Sequence, residues 1–493
     1  MSAAPLPHDE RLWFGHPRGL ATLYFTELWE RFSYYGMRAI LIYYLTWPVA
    51  EGALGFDAKR AGLIYGTYTM SAFLFAIVGG FVGDRFLGAR RAVEIAALVI
   101  AAGHFTLAIA SQATFFLGLA LVAIGSGLLK PNMSTLVGSL YASGDPRRDA
   151  GFSLFYMGIN VGAFLGPVVV GFLAQHASWK ALLTSFGFEP LASWHWGFGA
   201  SGVGMVLGLL WWRATAHRIA HVGERPAGPR PWAALAGVTA GSAALIAYVL
   251  AADRPGWEWL RWAFAIVPVG FALGLGLRRS DAARRMAVVL VLFLAAMVFW
   301  GAFEQGGSTL ALFGDALTRH TALGWEFPSA WFQSVGSVFV FTLAPLFAWL
   351  WPRLGPHQPS SPLKFALGLG FMAASFALMV PAAQATAAGL VSPWWLVGVF
   401  FLQTLGELCL SPVGLSAMTR LAPERLAGVV LGVWFLADAL GNKLAGVLAG
   451  EFVSTDPERL ARFFELQALA IAGAALAMLA LVPLLKRWMG EAR

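Results

Sequence analysis

The stretch LATLYFTELWERFSYYGMRAILIYYLTW, Leu20 to Trp47, is long enough to cross a bilayer as a helix, yet it holds four charged side chains. Glu27, Glu30, Arg31 and Arg38 fall on one face at 3.6 residues per turn, with Tyr34 between them. An ionised side chain at mid-depth in a membrane costs about 2.5–3.5 kcal/mol on insertion scales. Such a face cannot look at lipid; it needs partners, water or a task.

Working outward, the whole chain is built for lipid. Of 493 residues, 58% are hydrophobic and 12% charged, against roughly 45–50% and 25% in soluble domains. Long uncharged runs, such as Ala233 to Ala252 and Met286 to Ala302, approach the span of a hydrocarbon core. The expected spans are 20–47, 60–83, 91–110, 114–140, 150–174, 195–213, 232–252, 260–277, 286–313, 329–351, 363–382, 394–419, 427–450 and 463–486. This predicts an all-α integral membrane protein of about fourteen transmembrane helices.

The net charge of +8 does not point to nucleic acid, because the basic residues are sorted by loop rather than gathered in one patch. Most Lys and Arg fall on one side if both termini are cytoplasmic, as the positive-inside rule requires. No removable signal peptide is read in MSAAPLPHDERLWFGHPRG. Cys409 is the sole cysteine, which excludes an intrachain disulfide or thiolate metal cluster. No GxxxxGK[ST], HExxH or GxSxG motif is present, so neither an ATP-driven pump nor a hydrolase has a foothold, and no metal or organic cofactor is expected.

An internal repeat organises the helices. GSGLLKPNMS at Gly125–Ser134 matches GELCLSPVGL at Gly406–Leu415 in its Gly, Leu and Pro positions. Phe25, Trp29 and Glu30 are echoed by Phe299, Phe303 and Glu304. Two homologous six-helix halves would produce both. The expected division is a cytoplasmic segment 1–19, an N-terminal bundle 20–215, a linker 216–284 with two additional helices, a C-terminal bundle 285–488 and a tail 489–493. Lys130-Pro131 and Ser411-Pro412 each predict a kink.

GGFVGDRFLGARR, Gly79 to Arg91, resembles the loop signature of the major facilitator superfamily, carried by Gly79, Gly83, Asp84, Arg85, Gly88, Arg90 and Arg91. Its glycines would let two helices approach, while its charges pair with each other and with a helix end. Beyond the first helix, Lys130, Glu304 and Glu407 stand as isolated charges, with Glu94, Asp438 and Lys443 less securely at depth. Glu27, Glu30, Glu304 and Glu407 against Arg31, Arg38 and Lys130 leave one negative charge that a proton would neutralise. One shared cavity coupled to a proton gradient is the expectation, and permanent ion pairs that merely hold the bundle are the alternative.

ELWERFSYYGMR, Glu27 to Arg38, resembles the first-helix motif of the proton-dependent oligopeptide transporter family. FYMGINVGAFLGP (Phe155–Pro167), FWGAFEQGGSTL (Phe299–Leu310) and FLQTLGELCLSP (Phe401–Pro412) are similar to that family's fifth, seventh and tenth helices. The resemblance runs from about Leu20 to Lys486 and implies two six-helix bundles of the major facilitator fold plus the two extra helices of bacterial members. It implies a symporter of di- and tripeptides with protons, multi-pass in a bacterial inner membrane and working as a monomer in lipid. Glu27, Glu30, Arg31 and Glu304 are implied as proton-coupling groups, and Arg31 and Lys130 as the site for substrate carboxylate. Glu407 is implied for the peptide amino terminus. Arg38 and Glu304, with Lys130 and Glu407, match gating salt bridges, and Tyr34, Tyr35, Tyr68, Asn160, Trp300 and Trp434 match cavity-lining positions. In FPSAWFQSVGSVF, Gly336 stands where the family carries asparagine. A carrier of nitrate or another small organic ion on the same fold, or a membrane receptor that binds peptides without moving them, are the alternatives.

Overall fold

The computed structural model describes residues 12–142, 145–224, 231–237, 239–240, 280–421 and 427–490. Its α-helices are α1 Gly19–Thr46, α2 Ala58–Val82, α3 Ala89–Leu107, α4 Gln112–Ser139, α5 Arg148–Gln175, α6 Ala177–Ser185, α7 Ser193–Thr215, α8 Asp281–Phe303, α9 Thr309–Ala316, α10 Phe332–Arg353, α11 Ser361–Ala385, α12 Trp394–Leu421, α13 Ala427–Ala449 and α14 Pro457–Met489. The expected additional helices over 232–252 and 260–277 lie outside the described residues, apart from 232–237 and 239–240.

Eight described helical stretches are long and apolar enough to cross a membrane. The 28-residue α1 is not among them, because Glu27, Glu30, Arg31 and Arg38 interrupt its apolar run. Large apolar side chains that stay exposed, among them Leu117, Leu210 and Leu476, are explained by lipid rather than by water. α4 runs unbroken through Pro131 and α12 through Pro412.

Three local departures from the sequence expectation have physical causes. The expected single helix 286–313 is broken: α8 ends at Phe303, a 3-10 turn covers Glu304–Gly307, and α9 starts at Thr309. Gly306 and Gly307 are poor helix formers, and Ser308 adopts φ −130°, ψ −91° at the junction. Its hydroxyl donates to Ala445 O at 3.3 Å, which anchors the break. Second, the Gly79–Arg91 signature is not an open loop. α2 continues into a π-helical turn, Gly83–Leu87, and only Gly88, at φ 77°, separates it from α3. Third, the 175–194 connection contains α6, capped by His176 Nδ1 accepting from Ser178 N.

The chain divides into two compact units, Met1–Leu41 with Leu74–Ser242, and Ile42–Phe73 with Ala243–Arg493. The first has a core of α1, α3, α4, α5 and α7 side chains that includes Leu23, Val93, Ile100, Met133, Phe155 and Met205. Its amino-terminal segment is tied to the α4–α5 connection by His16 Nδ1 to Tyr141 Oη at 3.0 Å. In that connection the Arg147 side chain and amide hold the Asp145 carboxyl below the usual carboxylate range, and burial pushes the Tyr141 phenol up to about 12. In the second unit Ile42–Phe73 packs with the later helices. The carbonyl of Gly62 and the backbone of Gly66 lie against Gly446 of α13, an approach that no side chain permits.

Candidate functional site

The charges of α1 are buried together in the first unit. Glu27, Glu30, Arg31 and Arg38 are 3%, 0%, 4% and 9% exposed, so none is solvated by bulk water. Arg31 Nε lies 2.9 Å from Glu27 Oε1 and 2.5 Å from Glu30 Oε2. Two carboxylates therefore share one guanidinium, and repulsion between them makes a second cation or a proton necessary. The second cation is Lys130 on α4, which acts electrostatically on Glu27 and places Nζ 4.9 Å from the Tyr34 ring centroid. Arg31 Cζ is 5.5 Å from the same centroid, so Tyr34 lies under both cations. Arg38 Cζ is 5.8 Å from the Tyr35 ring.

This geometry depends on glycines behind α1. A Cβ at Gly162 of α5 would lie 2.3 Å from Leu28 O and 2.7 Å from Arg31 Cβ, and one at Gly204 of α7 would strike Phe32. α5 thus packs beside Arg31 and α7 against Phe32, while Ser126 and Lys130 of α4 reach the charged side chains and Tyr34 of α1. Asn160 of α5 is buried, but its Nδ2 donates to Tyr156 O at 3.0 Å on its own helix.

The Gly79–Arg91 signature works at a helix contact. A Cβ at Gly79 would meet Gly127 O at 2.3 Å, and Asn132 Nδ2 donates to Gly79 O at 3.0 Å. Gly83 leaves room for the Asn132 side chain. Arg90 Nη1 donates to the carbonyls of Ile219 and Ala220, where the turn after α7 ends. Asp84, Arg85 and Arg91 are exposed. Glu94 is not buried: its side chain is 37% exposed and pairs with Arg213 at 2.9 Å.

The second unit holds Tyr68, Trp300, Glu304, Glu407 and Trp434. Glu304, 6% exposed, opens the break between α8 and α9, so it stands where helix geometry is interrupted within the span. Trp300 makes edge contacts with Phe299 and Phe303, and its Cβ faces Gly441. Trp434 is 6% exposed, pressed on Gly414 and 6.4 Å from the Phe365 ring. Tyr68 is buried and Glu407 half-buried on α12. Lys443 Nζ reaches Thr67 Oγ1 at 3.2 Å, and Asn442 Nδ2 donates to Asp438 Oδ1 at 2.9 Å, both part of the α13 packing surface. A Cβ at Gly336 would meet nothing within 4 Å.

Polar contacts centred on three residues escaped the sequence reading. Ser126 of α4 donates to Glu30 Oε1 at 3.3 Å; its position four residues before Lys130, hence on the same face, was the available signal. Asp315 accepts from Trp47 Nε1 and Ser329 Oγ, each at 2.7 Å. Gln305 Nε2 donates to Gln467 Oε1 at 2.7 Å. Trp47 with Asp315 and Gln305 with Gln467 are far apart in the chain, and no spacing announces them.

Comparison with known proteins gives the family and the fold. The model of the POT family matches residues 90–459. The peptide transporter YePEPT of Yersinia enterocolitica is 38% identical over 520 residues, 98% of this chain and 97% of that one. A di-/tripeptide transporter of Lactococcus lactis subsp. cremoris is 35% identical over 463 residues, 89% of this chain and 90% of its own length. Among solved structures, a mutant of a peptide transporter POT in complex with sulfate superposes with a TM-score of 0.84 at 40% identity, over 97% of each chain.

Proposed function

The chain belongs to the POT family of the major facilitator fold, and on that footing we propose that it imports di- and tripeptides in symport with protons, by alternating access. One observation carries this reading: Glu27 and Glu30 share Arg31 at 2.9 and 2.5 Å, with Lys130 beside them. When all four are ionised their charges cancel. A proton on either carboxylate leaves one positive charge in excess, and the carboxylate of a peptide is the anion that restores neutrality. Proton and peptide therefore favour each other's binding, and by linkage each does so to the same degree.

A short peptide also carries an ammonium end, and Glu407 is its proposed partner. Tyr34, Tyr35, Tyr68, Asn160, Trp300 and Trp434 supply aromatic and amide surface to varied side chains, which suits a carrier that reads backbone ends more than residues. The gating roles of Arg38, Lys130, Glu304 and Glu407, and the protonation of Glu304, belong to the same proposal. So do a monomeric state, the proton as sole coupling ion, no catalytic residue, and an inner-membrane topology with both termini cytoplasmic. The relatives' names as peptide and di-/tripeptide transporters support the substrate class.

The test is uptake of labelled di- and tripeptides into proteoliposomes of purified protein, with and without an inward proton gradient. Accumulation above the outside concentration, abolished by an ionophore that dissipates the gradient, is the expected result. Uptake indifferent to the gradient, or of nitrate in preference to peptide, overturns it.

A further inference from the structure

The α4 segment Gly125-Ser126-Gly127 is held on two sides. A Cβ at Gly125 would lie 2.6 Å from Ile100 Cγ1 of α3, and one at Gly127 2.4 Å from Phe75 Cβ of α2. With α3 and α2 this close, the Ser126 hydroxyl has a third direction left, toward α1, and there it meets Glu30 Oε1 at 3.3 Å. Both residues are 0% exposed. The other oxygen of the carboxylate, Oε2, lies at the Arg31 guanidinium. That contact is an ion pair at 2.5 Å, and the hydroxyl of Ser126 adds a hydrogen bond to the opposite oxygen.

We propose that Ser126 is the positioning residue for the Glu30 carboxyl, bonding it in both protonation states. A hydroxyl is both donor and acceptor. To the ionised carboxylate Ser126 donates. When Glu30 takes up a proton on Oε1, the new carboxyl O–H donates to Ser126 Oγ, and the serine hydrogen turns to the carbonyl one helical turn back, as serines in helices do. No other group is gained or lost, and Glu30 stays docked on α4 through the proton cycle. Among the described residues, Arg31 pairs with it and Glu27 acts on it from α1, Lys130 of α4 acts on Glu27, and Tyr34 and Tyr35 act on Arg31; α5 and α7 meet this part of α1 through Gly162 and Gly208.

This role rests on the proton-coupled reading above, and the experiment separates the two. Full-length wild type, S126A, S126C and S126T are compared in proteoliposomes for dipeptide exchange at symmetrical pH and for the pH profile of gradient-driven uptake. Removing a donor from the carboxylate favours its protonated form. S126A is therefore expected to move the half-maximal pH of driven uptake upward by about one unit, from the strength of a hydrogen bond to a charged group. S126C moves it less, S126T keeps it near wild type, and exchange KM, read at a pH well below every midpoint where Glu30 is protonated throughout, stays unchanged in all. The infrared band of the protonated carboxyl, assigned by its loss in E30Q, shifts in S126A and returns in S126T. A wild type that accumulates dipeptide while S126A keeps its pH profile and its carboxyl band overturns the role of Ser126 alone. A wild type with no gradient-driven uptake overturns the coupled reading and this role with it.

Discussion

Trp47 and Asp315 are joined by a 2.7 Å hydrogen bond from the indole Nε1 to Oδ2, across 268 positions of sequence. Ser329 Oγ occupies the other carboxylate oxygen at 2.7 Å. The acid sits at the end of α9 and the tryptophan just after α1, so the pair ties the Ile42–Phe73 segment to the later helices of its own unit. Trp47→Phe keeps an aromatic ring, though a smaller one, and deletes the donor. The expected loss is about 1.5–3 kcal/mol, the worth of a hydrogen bond to a charged group, seen as a lower apparent Tm in detergent. An unchanged Tm would show that water replaces the indole at no cost.

Glu30→Gln replaces a titrating carboxyl with a neutral amide of the same shape. The amide still accepts from Ser126, so packing is preserved, but no proton can be taken up and released. Gradient-driven accumulation of dipeptide is expected to fall to the level reached without a gradient, while exchange of labelled for unlabelled peptide continues. Driven uptake at wild-type levels in this variant would remove Glu30 from the coupling step.

Much of this was legible before any coordinates. The one-face spacing of Glu27, Glu30 and Arg31 announced a buried cluster because helical periodicity is local, and the structure places all three on one another. The glycines of the Gly79–Arg91 signature likewise meet a partner helix, with Gly79 against Gly127. The break at Glu304–Gly307 was hidden, since hydropathy runs on through it and only the paired glycines hint at it. Glu94 was ambiguous for the opposite reason: an acid near a helix end reads the same whether it faces a cavity or, as here, Arg213 at the surface. Ser126 and the Trp47–Asp315 pair are tertiary facts, fixed by which helices lie side by side.

Gly336 has open space at its Cβ position, which leaves room for a larger side chain. Gly336→Asn is expected to fold with a Tm at or slightly above wild type, since asparagine is a better helix residue than glycine by a few tenths of a kcal/mol. If its amide reaches the peptide, one neutral hydrogen bond of about 0.5–1.5 kcal/mol lowers the dipeptide Kd by roughly two- to tenfold. Competition binding with a labelled dipeptide measures it. A fall in Tm would show the site to be filled rather than open, and an unchanged Kd would place the residue away from substrate.

The approach of α2 to α13 makes the last test sharp. A Cβ at Gly446 would lie 2.4 Å from Gly62 O and 2.6 Å from Gly66 Cα, and a Cβ at Gly62 would lie 2.2 Å from Gly446 O. These neighbours are backbone and cannot rotate away, so Gly446→Ala must push the helices apart. Overpacking of this kind costs about 1–3 kcal/mol, and separation also strains the Lys443 to Thr67 contact nearby. Gly62→Ala acts on the same gap. Once one methyl has parted the helices, the second finds the space already open, so the double variant should lose less stability than the two single losses added together. Thermal unfolding of the four proteins in one detergent decides it: strict additivity would mean that the two glycines face separate contacts.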